Sequence, residues 1–134
     1  MKLKPWGTVD WLLPRTNVES WHIITSASFE DRCVAVVEWF RLSGAKINSS
    51  TLYKIENPPS GLWDECAKDL SQNLVKIFEL LSGVDITSVD IDLLGPLGAK
   101  FAQDSINPNG FDSVILDITT LPKRFFYLQL SNWF

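Results

Sequence analysis

Two short phrases hold the side chains best suited to chemistry. The first, SxSFExR, sets Ser26, Ser28, Glu30 and Arg32 just beyond a β-branched run. The second, DITxxPKR, sets Asp117, Thr119, Thr120, Lys123 and Arg124 just beyond another. Hydroxyls with guanidinium and ammonium groups at the mouths of two helices are anion-binding features, suited to phosphate or carboxylate. The same residues have a plainer reading. Ser28 and Thr120 would then cap their helices, Arg32 would pair with Glu30 or Asp117, and Lys123 and Arg124 would point to water. The convergence of charges of both signs where a central strand ends favours the binding site. Neither GxGxxG nor GxxxxGKS/T occurs, which argues against ordinary dinucleotide or P-loop binding.

Other chemistry finds less support. His22 is the single histidine, and no serine or cysteine is spaced to form a nucleophile pair with it, so it reads as a core residue. Cys33 and Cys66 lack CxxC spacing and histidine neighbours, and each falls on the apolar stripe of a helix, where a small hydrophobe belongs. Asp85, Asp90 and Asp92 could hold Mg²⁺, but alternating aspartates on an edge strand more often face solvent as gatekeepers. No metal site is expected and no cofactor is identified.

The elements that position the two phrases follow from hydrophobic period. Residues 22–25 (HIIT) form an apolar, β-branched strand, and Phe29, Cys33, Val36, Val37 and Phe40 then recur on one helical face. Ser28 followed by Asp31 resembles a capping box at the start of that helix, and Gly44 belongs at its left-handed C-cap, after Ser43. Ser50 to Glu56 alternates as a second strand. Trp63 to Leu81 carries a long apolar stripe ended by Gly83, and Val84 to Leu94 is a half-buried strand with an irregular start. A weakly helical piece lies around Ala99 to Asp104. Ser113 to Ile118 reads as a central parallel strand covered on both faces, and Pro122 fits the first turn of a final helix.

Strands alternating with helices predict an α/β, Rossmann-like domain: a four-stranded, mainly parallel sheet in the order 3-2-1-4, with helices on both faces and the Asp-rich strand at the edge. That order makes the first and fourth strands neighbours and leaves a crevice beyond their carboxyl ends. The two phrases meet there.

Length and composition set the frame. At 134 residues the chain suits one domain with a real core. We divide it into an extended N-terminal arm at 1–20, carrying Trp6 and Trp11 with one short strand near Thr8 to Leu13, and a domain at 21–134. A net charge of −4 argues against an extended nucleic-acid surface or a grip on anionic lipid. The N-terminus, broken by Pro5, Gly7, Asp10 and Pro14, lacks the core of a secretory signal, so a cytoplasmic location is the default. Phe125, Phe126, Tyr127, Leu128, Leu130, Trp133 and Phe134 leave the last helix apolar on nearly every side. A homo-oligomer, a protein partner or further sequence of a longer domain would cover it.

Over residues 20–125 the phrases SxSFExR and DITxxPKR resemble uncharacterised prokaryotic Rossmann-like proteins of antiviral-defence gene neighbourhoods. The resemblance implies the fold and brings no catalytic residue with it. Two functions are expected from the residues: a small-ligand domain binding a phosphate-bearing or nucleotide-like molecule, or a non-catalytic interaction module docking through its aromatic arm and last helix.

Overall fold

The computed structural model describes Leu13 and residues 16–56, 63–92 and 113–131. Strands β1 (Trp21–Ala27), β2 (Ile47–Glu56), β3 (Asp85–Asp92) and β4 (Val114–Leu116) form one four-stranded sheet in the order β3-β2-β1-β4. Every pairing is parallel. A 3-10 turn, Asp31–Val34, and helix α1, Ala35–Leu42, follow β1; helix α2, Trp63–Leu80, precedes β3; helix α3, Lys123–Ser131, follows β4. This is the expected α/β, Rossmann-like topology.

The sheet has a core on each face, and the strand period explains why. Ile23 and Ala27 of β1 and Leu52 of β2 join Val37 and Phe40 of α1 and Leu70 and Ile77 of α2 in one buried cluster. Their chain neighbours Ile24 and Tyr53 turn the other way, with Ile91 of β3, to meet Leu121, just before α3, and Phe125 in its first turn. Successive strand side chains alternate faces, so a strand covered on both sides must be apolar at consecutive positions. From His22 to Ala27 every residue of β1 is buried. The Asp-rich β3 takes the edge, with Asp90 exposed and 3.6 Å from Lys54. No helix among the described residues is long and apolar enough to cross a membrane.

Several boundaries differ from expectation. Phe29 lies outside the helix and is 39% exposed. The Ser28 hydroxyl accepts the Glu30 N–H at 3.1 Å, a local turn that competes with helix and delays it to the 3-10 turn at Asp31. Glu30 is extended at that N-cap with no side-chain cap bond, so the capping box does not form. β2 begins earlier, at Ile47, which pairs with Trp21 ahead of a register shift. Its polar Asn48 and Ser49 hide a strand held by parallel pairing on both flanks. β4 is shorter than expected and only half-buried, because it stands at the edge of the described sheet. Pro122 precedes α3, its carbonyl accepting the Phe125 N–H at 2.9 Å.

The helix ends agree with expectation: Gly44 and Gly83 have φ of +76° and +81°. From the arm, Leu13 packs against the first cluster, and its carbonyl accepts both the amide and the hydroxyl of Thr16. The strand expected at Thr8 to Leu13 otherwise lies outside the described residues, as does the weak helix at Ala99 to Asp104. On α3, Phe125 is buried and Tyr127 exposed; the side chains of Phe126 and Leu128, with Trp133 and Phe134, lie outside the described set.

Candidate functional site

The carboxyl ends of β1 and β4 come together as the strand order requires. Ile23 faces Ile115 and Ile24 faces Leu116, and the Asp117 N–H continues the ladder by donating to the Ile24 carbonyl at 2.8 Å. Ile115 packs on the α1 side and Leu116 on the α3 side. By alternation Asp117 falls on the α1 side. The residue is only 4% exposed. Oδ2 accepts the Thr25 hydroxyl at 2.8 Å and Oδ1 accepts the Thr119 N–H at 2.9 Å. Each oxygen thus has one of these donors and a second lone pair.

The expected hydroxyls interlock. Ser26 Oγ and Thr120 Oγ1 lie 2.8 Å apart, and the Thr120 hydroxyl donates to the Ser26 carbonyl at 3.3 Å. Ser28 is held in the adjacent turn, where its carbonyl accepts Asn73 Nδ2 at 3.0 Å and the Cys33 thiol at 3.6 Å. Arg32 pairs with Glu30 at 2.6 Å rather than with Asp117, and both side chains are exposed. Lys123 is exposed; the Arg124 side chain lies outside the described set. Thr25, Asp117 and Thr119 therefore form one bonded group and Ser26 with Thr120 a second, with Ser28, Glu30 and Arg32 in the neighbouring turn. Their hydroxyls serve one another, and the charge at the centre is negative. The cations stand in the outer segments.

That negative centre shapes the neighbouring thiol. Burial pushes the Cys33 thiol above its ordinary pKa, with the charges of Asp117 and Asp31 adding to the shift and the Ser28 hydrogen bonds opposing it. A thiol kept protonated is a poor nucleophile. His22 sits on the α3 side of β1, its Nδ1 2.7 Å from Ser49 Oγ and its Nε2 3.1 Å from Thr51 Oγ1. Burial lowers its pKa, so the imidazole is neutral, with one nitrogen donating and the other accepting. Among the described residues no group of three or more His, Cys, Asp or Glu could hold a metal ion.

Open space adjoins the Asp117 group. A cleft of about 390 Å³ runs between α1 and β4, walled by Val36, Trp39, Phe40, Ile115 and Ile118 with Asp117 among its lining residues. That size falls in the range of small-ligand pockets. Sequence reasoning missed these walls, and also Thr25 and Asn73. Trp39 carries a usable signal, being a large aromatic beside the main α1 stripe that gives the helix a second apolar edge. Asn73 carries another: it interrupts the stripe of Leu70, Leu74 and Ile77, and its Oδ1 is buried without a hydrogen-bond partner among the described residues. Thr25 is hidden in a β-branched run. No protein-family model, curated protein or solved structure matches the chain.

Proposed function

We propose that this chain is a small-ligand domain holding a phosphate-bearing, nucleotide-like molecule at the carboxyl ends of β1 and β4. The observation that carries the reading is the cleft of about 390 Å³ beside the turn at Asp117, where the two strand ends converge. In open α/β sheets the crevice beyond such neighbouring strand ends is where ligands bind. Lys123, exposed in the segment after β4, and Arg32, exposed and exchanging its Glu30 partner for the ligand, supply positive charge for the anionic group. Thermal-shift screening against nucleotides and sugar phosphates tests it. A ligand at 100 times its Kd stabilises the fold by about 2.7 kcal/mol, and Arg32→Ala or Lys123→Ala should shrink that gain. Absence of any shift with millimolar anionic ligands would refute the reading.

A second reading, a non-catalytic interaction module, is favoured by the apolar pair Val75 and Phe78, 57% and 45% exposed and three positions apart on α2. Sedimentation of the chain and of Phe78→Lys distinguishes it. Self-association lost in the variant, with the ligand screen silent, would favour the module.

A further inference from the structure

We infer that the α1–β4 cleft is the ring pocket of the proposed ligand site and that Asp117 selects a ring presenting adjacent N–H donors, of the guanine type. The inference rests on the small-ligand reading and specifies which end of the ligand goes where. The walls are apolar and come from α1 on one side and from β4 and the turn after it on the other. Phe40 is buried and meets Trp39 edge-on at 5.0 Å and 84°, which braces the aromatic wall against the core. Opposite stand Ile115 and Ile118. Such walls suit a flat, weakly polar body.

Asp117 sets the polarity. It is the one charged residue lining the cleft among the described residues, and it is fixed in orientation by Thr25 and Thr119. A buried carboxylate is an acceptor only. It repels phosphate at close range and leaves a ring acceptor facing it unpaired, whereas two neighbouring N–H groups satisfy its remaining lone pairs in a charge-assisted pair. The ring therefore enters and the phosphate stays outside. Guanine offers adjacent N–H donors on one edge, while adenine places an acceptor nitrogen beside its amino group.

Calorimetric titration of the full chain with guanosine monophosphate, adenosine monophosphate and ribose 5-phosphate tests this. The guanine nucleotide should bind at least tenfold more tightly than the adenine nucleotide. Asp117→Asn should abolish that preference, and Ile118→Trp, at an exposed cleft position, should weaken guanine nucleotide binding at least tenfold with the circular dichroism spectrum unchanged. Equal affinity for both nucleotides, or for ribose 5-phosphate alone, overturns the ring pocket and leaves the anion site standing. Failure of all three compounds to bind overturns both. The comparison of bases on the unaltered chain decides the matter even if Asp117→Asn fails to fold.

Discussion

The Thr25 hydroxyl donates to Asp117 Oδ2 at 2.8 Å across 92 positions of sequence, so the centre of β1 and the residue after β4 share one buried bond. Asp117→Ala removes the acceptor for both that hydroxyl and the Thr119 amide. The expected loss is about 3 kcal/mol, since buried donors left without partners cost about 1–3 kcal/mol each. Thr25→Val removes one donor and leaves the carboxylate its other bond, for an expected loss of about 1 kcal/mol. Urea denaturation of the two single variants and the double variant should show non-additive losses, as expected for directly bonded partners.

His22 makes stability depend on acid. Its pKa in the fold lies below the ordinary 6.5 because burial disfavours the imidazolium. Above pH 6.5 both folded and unfolded chains hold it neutral and it contributes no pH dependence. As pH falls below that value the unfolded chain takes up the proton first, so stability declines until the folded pKa is reached. His22→Gln should flatten this part of the profile, measured as the urea midpoint between pH 7 and 5.

The two thiols should react unequally. Cys33 is fully buried with its pKa raised, whereas Cys66 is only half-buried. Brief treatment with iodoacetamide at pH 8, read by intact mass, should add one label to the native chain and two in denaturant. Peptide mapping should place the first on Cys66. Rapid native labelling of Cys33 would contradict its placement.

Gly44 and Gly83 end their helices at positive φ, and a Cβ at either would meet nothing within 4 Å. Substitution by alanine therefore carries the backbone cost alone, about 1 kcal/mol at each position. The two losses should add in thermal unfolding of the double variant, because the turns are separate.

The sheet order is legible in the sequence because burial of faces writes a local period. Ile23 and Ile24 mark a strand covered on both sides, and the long stripe from Trp63 marks α2. The site is legible only in outline. Ser26, Asp117 and Thr120 come together because the strand order brings them there, but which hydroxyl satisfies which group depends on distances between residues far apart in sequence. Phe29 shows the limit in the other direction. It keeps helical spacing with Cys33, yet the Ser28 hydroxyl takes the Glu30 amide and turns the chain before the helix starts.

The shortness of β4 gives the sheet a seam. β1 and β2 share seven register pairs and β2 and β3 share eight, but β1 and β4 share only three. Segments with few backbone bonds and partial burial open at the least free energy, so this ladder should part first, and the turn at Asp117 rides on it. A molecule bridging both strand ends would have to stitch the seam shut. Its occupancy should therefore register as slowed deuterium uptake at Val114 to Leu116, while the amides of β2, already locked on both flanks, change little.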